Sequence, residues 1–322
     1  MSASLERILV SLTPAESKRL IAKAVRMLEE VQNALKNGIV VISQGTTNSF
    51  VAEEILKGLP AAEEASARIE RERFAAGVVT AKALCSVPKE ERQKEIVIRE
   101  GKVTGETLED VLEDLSAEDV FIKGANAIDA NGRAAIFLGH PSGGTIGAAI
   151  GVVLARGVNF IIPVGMEKAI PFSVEEAALR LGIGKIRKAT GMPIGLMPVS
   201  GKLVTEVTAF KMLGASDAFP VGAGGVNGGE GSVVFCVEGD AEKLDEIMQT
   251  ILKIKGETPV KVRIADCEKC EREKCVFFSG GAGSVGSVGS VGSVGSKGSR
   301  GSVGSEDRES RKGVGGGSAD RE

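Results

Sequence analysis

Apolar residues recur at helical spacing near the start of the chain, after Thr13. Thr13-Pro14-Ala15-Glu16 has the pattern of a capping box with proline at the first helical position. Asn37-Gly38 predicts the end of the helix, because both residue types accept left-handed backbone. Residues 39–42 are a continuous apolar run, typical of a strand that is buried on both faces. The helix is predicted to extend to about Leu35 on the spacing of Leu20, Ile21, Ala24, Val25 and Leu28.

The centre of the chain alternates strands and helices. Apolar runs at 120–122, 135–138 and 159–164 predict strands, and 146–156 predicts a helix between the last two. This alternation predicts an α/β fold of the Rossmann-like kind, with a mainly parallel sheet and helical crossovers.

The pattern changes after Gly195. Runs at 203–210, 232–237 and 260–264 predict strands, and 240–255 predicts one amphipathic helix. We therefore expect an α/β anion-binding domain at 1–195 and a smaller α+β subdomain at 196–265. A cysteine cluster at 266–278 follows, and the Gly/Ser-rich residues 279–322 predict a disordered tail.

Composition narrows the classes of partner. The 322 residues carry a net charge of −3, and tryptophan and tyrosine are absent, so neither charge nor base stacking favours nucleic acid. No apolar stretch reaches the ~18 residues that a membrane helix needs, and the first ten residues lack a signal-peptide core. Five cysteines, three of them clustered, are typical of a reducing compartment. We expect a cytoplasmic protein with a small-molecule partner, and we leave a homo-oligomer open.

Two glycine-rich segments are candidates for anion binding. Gly45-Thr46-Thr47 follows the buried strand 39–42 and begins a helix, and 139–147 contains Gly143-Gly144-Thr145. Free backbone N–H groups and the positive end of the helix dipole favour a phosphate or a carboxylate at such places. The alternative is a pair of glycine turns in which threonine or serine caps the helix. Gly147 and Gly151 are four residues apart in the helix that follows, a spacing that permits close packing against another helix.

Further polar residues follow the predicted strands. Lys123, Asn126 and Asp129 come after one strand and Lys168 after another, and ligands of open α/β sheets collect beyond the carboxyl ends of strands. A polar turn is the alternative for the first three. His140 is the only histidine, and it is either structural or catalytic.

A third glycine-rich segment occupies 222–231 and contains Glu230. Ordering so flexible a loop costs conformational entropy, which favours contact with a ligand or a role as a lid. A plain surface loop is the alternative.

Three cysteines near the end of the apolar pattern are candidate metal ligands. Cys267, Cys270 and Cys275 have spacings that suit zinc or an iron–sulfur cluster. Both groups need four ligands as a rule, and no fourth cysteine is close in sequence. A redox-sensitive thiol cluster is the alternative. Cys85 and Cys236 lie in apolar runs and are expected to be buried free thiols.

Residues 38–170 resemble a known superfamily. The strand followed by Gly45-Thr46-Thr47 resembles the phosphate loop of ribose-5-phosphate isomerase, and Asp119 to Gly132 resembles that superfamily's strand ending in Gly-Ala-Asp. The glycine-rich turn, helix, strand and Lys168 then follow in the superfamily's order. It also includes DeoR-type sugar-phosphate sensors, translation-initiation-factor-2B-like isomerases and CoA transferases. Residues 1–262 also resemble an uncharacterised prokaryotic protein family.

The chain departs from the isomerases at their catalytic positions. Where those enzymes have aspartates it has Lys123 and Asn126, and no glutamate lies between Thr145 and Arg156. Isomerisation needs a base within reach of the migrating proton. The remaining carboxylates are Asp129, Glu167 and Glu230.

The sequence therefore predicts binding of a small phosphorylated or carboxylated metabolite, such as a sugar phosphate or a CoA ester. The protein is a sensor, or an isomerase- or transferase-like enzyme with Asp129, Glu230 or His140 as catalytic residue. The predicted ligand-binding residues are Gly45, Thr46, Thr47, Lys123, Asn126, Gly143, Gly144, Thr145 and Lys168. The alternative function is a metal- or redox-responsive interaction protein that acts through Cys267, Cys270 and Cys275.

Overall fold

Helices and strands alternate along the chain, as the hydrophobic pattern predicts. The computed structural model describes residues 5–59, 69–268 and 270–278, so the predicted tail at 279–322 lies outside the described residues. The strands are β1 (Glu6–Leu12), β2 (Ile39–Ile42), β3 (Gly77–Val79), β4 (Leu84–Ser86), β5 (Ile96–Arg99), β6 (Lys102–Val103), β7 (Val120–Ile122), β8 (Ala127–Asp129), β9 (Ala134–Leu138), β10 (Asn159–Pro163), β11 (Ala169–Ile170), β12 (Gly195–Val199), β13 (Lys202–Val204), β14 (Asp217–Gly224) and β15 (Ser232–Gly239). The helices are α1 (Pro14–Met27), α2 (Glu29–Asn37), α3 (Thr46–Leu56), α4 (Leu108–Val111), α5 (Gly144–Ala155), α6 (Val174–Arg180), α7 (Glu206–Met212) and α8 (Ala241–Ile254).

A six-stranded sheet forms the centre of the fold. Its order is β13-β10-β7-β2-β5-β6, in which the first four strands are parallel and the last two antiparallel. The prediction of an α/β fold with a mainly parallel sheet is therefore confirmed for this sheet. The remaining sheets, β11-β8-β9-β12, β1-β15-β14 and β3-β4, contain antiparallel pairs.

Both faces of the central sheet are buried, which explains its continuous apolar strands. Val40 and Ile42 belong to one hydrophobic core, and their neighbour Val41 belongs to the core on the opposite face. Successive side chains of a strand point to opposite faces, so an apolar residue is needed at every position. The first core contains residues of α1, α2, α3, α7 and α8, and the second contains residues of α4 and α5.

The segment after Gly195 is distributed over three sheets. β13 completes the central sheet and β12 joins β9, while β15 pairs with β1 on one side and with β14 on the other. The predicted strand 203–210 is wrong beyond Val204, because Thr205 accepts the backbone N–H of Thr208 and so begins α7. The predicted strand at 260–264 has no regular structure.

Two features of the first forty residues also differ from the prediction. The predicted helix divides at Leu28, whose extended backbone (φ −61°, ψ 134°) separates α1 from α2. β1 precedes these helices and was not predicted, because its partner β15 lies more than 200 residues later in the chain. Within residues 5–59, 69–268 and 270–278, no helix has both the length and the apolarity needed to cross a bilayer.

A buried arginine joins three parts of the chain. Arg19 of α1 is 6% exposed, and its guanidinium donates to Glu53 (2.6 Å), Glu54 (2.7 Å) and Glu257 (2.7 Å). It also lies 4.8 Å from the ring centroid of Phe50. Removing one partner of a buried ionic group leaves the others desolvated and unpaired. Arg19 therefore stabilises the contact of α1 with α3 and with the segment that follows α8.

We expect Arg19→Met to lower the free energy of unfolding by about 3–5 kcal/mol, because three largely buried carboxylates lose the guanidinium group that they share. Urea unfolding followed by circular dichroism measures this, since the chain has no tryptophan or tyrosine to serve as a fluorescent probe. Lys243→Ala, which breaks an exposed pair with Glu246, is the control and should change stability by less than about 1 kcal/mol. Equal effects of both substitutions would contradict the role of Arg19.

Candidate functional site

A cleft of about 240 Å³ lies at the carboxyl ends of three adjacent strands of the central sheet. Residues that follow β2, β7 and β10 form its floor, and the turn between β9 and α5 forms one wall. The predicted ligand-binding residues all line this cleft: Gly45, Thr46, Thr47, Lys123, Asn126, Gly143, Gly144, Thr145 and Lys168. His140 lines it as well.

Two helices begin at the cleft without a capping side chain. Gly45 is the N-cap of α3 and Gly143 is the N-cap of α5. By contrast, Thr13, Thr107, Ser173 and Thr205 cap α1, α4, α6 and α7 through their hydroxyl groups. The alternative prediction, in which threonine or serine caps these two helices, is therefore wrong. The first backbone N–H groups of α3 and α5 remain available at the cleft.

Left-handed backbone shapes the start of α5. Gly143 and Gly144 have φ values of 82° and 60°, which residues other than glycine rarely adopt. These φ values are why the turn that begins α5 has glycine at both positions.

Two buried oxygen atoms at the start of α3 lack a hydrogen-bond partner. Thr47 is 2% exposed and Asn48 is fully buried, yet Thr47 Oγ1 and Asn48 Oδ1 have no partner within the described part of the chain. The amide nitrogen of Asn48 donates to the backbone oxygens of Ser43 (2.7 Å) and Ile122 (3.2 Å), which fixes the orientation of its side chain. Both residues line the cleft. Unsatisfied buried acceptors are rare. Less than 1 Å² of either oxygen is accessible to solvent, so a ligand group would reach them only if the start of α3 shifted.

Two lysines provide positive charge at the floor of the cleft. Burial lowers the pKa of Lys123 to about 8, and burial also lowers the pKa of Lys168 to about 8, although the charge of Glu167 opposes the second shift. Lys123 Nζ donates to Ser43 Oγ (3.2 Å) and Lys168 Nζ donates to the backbone oxygen of Ala125 (2.7 Å). Neither ammonium group forms a salt bridge within residues 5–59, 69–268 and 270–278.

Two arginines that sequence reasoning missed complete the lining. Arg92 donates to the backbone oxygen of Val87 (2.9 Å), and Arg272 donates to Ser86 Oγ (3.0 Å). Burial and the charge of Arg272 lower the pKa of Arg92. No aspartate or glutamate of the described residues lines the cleft. The cleft therefore has a net positive charge with no counter-charge from its own lining.

His140 and Asn126 present further polar groups. The backbone N–H of Ser142 donates to His140 Nδ1 (3.2 Å), so in the neutral ring the proton is on Nε2. Asn126 Oδ1 accepts the backbone N–H of Phe137 (3.0 Å), which leaves its NH₂ group as a donor. Both side chains can therefore donate to an anion.

The candidate carboxylate bases lie elsewhere. Asp129 does not line the cleft and accepts the backbone N–H groups of Asn131, Arg133 and Val174. Burial opposes ionisation of Asp129, but these three hydrogen bonds outweigh it and lower the pKa. Glu230 is exposed in the loop between β14 and β15, away from the cleft lining. These positions do not support either carboxylate as the base for a ligand in this cleft.

Two other carboxylates lie behind Lys168. Glu167 pairs with Lys18 (3.1 Å), and Glu206 is fully buried and accepts the backbone N–H of Met166. Burial, together with the negative charge of Glu167, raises the pKa of Glu206 to about 7. Sequence reasoning missed Glu206, since only its place at the start of α7 brings it to this cluster.

The cysteine cluster contains four thiols in the structure. No fourth cysteine is close to these three in sequence, but the fold brings Cys85 of β4 to the same small pocket as Cys267, Cys270 and Cys275. Lys82 Nζ lies 3.1 Å from Cys267 Sγ. In the described residues no three cysteine, histidine, aspartate or glutamate side chains are arranged to hold a metal ion. The zinc or iron–sulfur site remains a prediction.

Comparison of the chain with protein-family models, with curated proteins and with solved structures gives no match. The resemblance to the isomerase and CoA-transferase superfamily therefore remains a prediction, and the function is argued from the cleft itself.

Gly147 and Gly151 form a matched pair within α5. A Cβ on Gly147 would lie 2.3 Å from the backbone oxygen of Ser142, whereas a Cβ on Gly151 would meet nothing within 4 Å. The prediction that Gly151 permits close helix packing is therefore wrong. Gly147 lets the turn that begins α5 lie against the helix.

We expect Gly151→Ala to stabilise the protein by up to about 1 kcal/mol through helix propensity. Gly147→Ala should destabilise it by about 1–3 kcal/mol despite the same gain in propensity, because Ser142 must move. Thermal unfolding of both variants measures the difference. Stabilisation of both variants would show that the turn at Gly143 is not held against α5.

Proposed function

We propose that the protein binds a small phosphorylated or carboxylated metabolite in the cleft between the starts of α3 and α5. One observation carries the proposal. The uncapped N-termini of α3 and α5 converge on one cleft with the side chains of Lys123 and Lys168, and the described lining of this cleft contains no carboxylate. Each lysine loses hydration in the cleft, and an anion would stabilise its charged form.

Binding is better supported than catalysis by a carboxylate base. Asp129 and Glu230 do not line the cleft, and a base must be within hydrogen-bond reach of the proton that it removes. We place the protein with sugar-phosphate sensors of the superfamily that residues 38–170 resemble, in the cytoplasm. The isomerase- and CoA-transferase-like form of the Rossmann-like fold is part of this proposal.

Anion affinity should depend on pH through the two lysines. The pKa values of both lysines are lower in the folded protein than in the unfolded chain. The buried ammonium groups therefore destabilise the ligand-free protein below about pH 8. This penalty is relieved as the pH rises from about 8 toward the ordinary lysine pKa of the unfolded chain. A bound anion favours the protonated lysines. Affinity for sulfate, whose charge is constant over this range, should therefore fall above pH 8 by about tenfold per pH unit for each lysine that must be protonated. Isothermal titration calorimetry at pH 7 to 9.5 measures the slope.

Substitution of one lysine separates binding from stability. Lys123→Met should be more stable than the wild type at pH 7 without ligand, by about 1–3 kcal/mol, because it removes the burial penalty. It should also lose most sulfate and sugar-phosphate binding and show a shallower pH slope. Lys253→Met, on the exposed face of α8, is the control and should change neither property. Thermal shifts that are equal in the wild type and Lys123→Met would exclude this cleft as the anion site.

A second candidate function is a redox-responsive thiol cluster, favoured by the gathering of Cys85 with the three cysteines of the 266–278 segment. We expect mild treatment with oxidised glutathione to modify or crosslink these four thiols and to leave buried Cys236 intact. Mass spectrometry of the oxidised protein, with Cys236 as the internal control, measures the selectivity. Uniform modification of all five cysteines would remove this candidate.

A further inference from the structure

The number of cations in the cleft exceeds what one small anion can neutralise. Lys123, Lys168, Arg92 and Arg272 all line it. None of the four forms a salt bridge within residues 5–59, 69–268 and 270–278. A single carboxylate compensates one of these charges and a single phosphate at most about two. The remaining cations would stay without an anionic partner, which is most unfavourable for the buried lysines.

The cations form two pairs on different walls. The lysines follow β7 and β10 at the floor, whereas Arg92 and Arg272 are held by Val87 and Ser86 beside the β3–β4 hairpin. The charge of Arg272 perturbs Arg92, so these two guanidinium groups are close. The two pairs are therefore anchored on different parts of the cleft: the lysines follow adjacent parallel strands, and the arginines are held at the consecutive residues Ser86 and Val87.

Each arginine has donors to spare. Arg92 uses Nε for Val87, and Arg272 uses one Nη for Ser86. A guanidinium group has five N–H donors in a planar fork that suits phosphate oxygens. The charge of Glu90 acts on Arg92, but neither guanidinium group forms a salt bridge within the described part of the chain, and an anion would stabilise both.

We propose that the ligand has two separate anionic groups, in the manner of a bisphosphorylated sugar or polyol. One group lies at Lys123, Lys168 and the helix N-termini, and the other lies between Arg92 and Arg272. This inference rests on the proposed function and specifies its ligand class.

The arginine centre depends on the cysteine-containing segment. Arg272 lies between Cys270 and Cys275, and Ser86, Met192 and Arg272 line both the thiol pocket and the anion cleft. The sequence 266–278 therefore contributes a wall of the cleft, although it is far from the glycine-rich segments along the chain.

Calorimetric titration of the full-length chain tests the inference. The probes are sulfate, pyrophosphate, and the mono- and bisphosphates of ribose and fructose. At least one bisphosphate should bind about 100-fold more tightly than its monophosphate counterpart. Arg272→Gln and, independently, Arg92→Gln should reduce bisphosphate affinity to the monophosphate level and change monophosphate affinity by less than about threefold. Arg263 is an exposed arginine three residues before the 266–278 segment, and Arg263→Gln is the control that should have no effect.

The outcomes separate the two proposals. If monophosphates and bisphosphates bind equally and the arginine substitutions change neither, the two-anion inference is overturned while the proposed function stands. If none of the probes binds the wild-type protein, both are overturned. Circular dichroism and the unchanged monophosphate affinity of the arginine variants show that they are folded, so a selective loss of bisphosphate binding supports the inference.

Discussion

Buried positive charge without a salt-bridge partner among the described residues, at the end of a parallel sheet, is the constraint on which the site depends. Lys123 and Lys168 follow adjacent central strands, and the packing on both faces of the sheet removes much of the water around them. Burying an ammonium group is unfavourable, and the charges of Glu167 and Glu206 offset this for Lys168 only in part. Hydrogen bonds to Ser43 and Ala125 orient the two lysines but do not neutralise them. The fold therefore carries an electrostatic cost, which an anionic ligand would relieve in the proposed function.

The remainder of the fold provides the rigidity that such a site requires. Charged residues that serve structure are paired: Arg19 is surrounded by three glutamates, and Glu16 accepts from Lys255. The buried arginine of α1 is paired within the fold, whereas the cleft cations form no salt bridge within the described residues. In the proposed function their partner is an anionic ligand.

The central sheet and the glycine-rich half of the cleft follow from local sequence. Continuous apolar runs identify strands buried on both faces, and the carboxyl ends of adjacent parallel strands must meet, so Gly45, Lys123 and Lys168 could be placed together from their positions after strands. The structure brings the predicted ligand-binding residues to one cleft, and their binding of an anion remains a prediction. Arg92 and Arg272 had no local signal, because both arginines lie in irregular segments. Cys85 is separated from Cys267 by most of the chain, so no spacing rule could join them. The strand predicted at 203–210 failed because the capping residue Thr205 begins a helix within an apolar run.

The central claim is that the starts of α3 and α5 hold an anion together with the two lysines. The most direct measurement is a crystal structure of the protein grown in the presence of phosphate or sulfate. The account predicts an ordered tetrahedral anion in hydrogen-bond contact with backbone N–H groups after Gly45 and Gly143 and with Nζ of Lys123 or Lys168. A cleft that contains only water at a saturating anion concentration, with both lysines oriented as they are here, would contradict it.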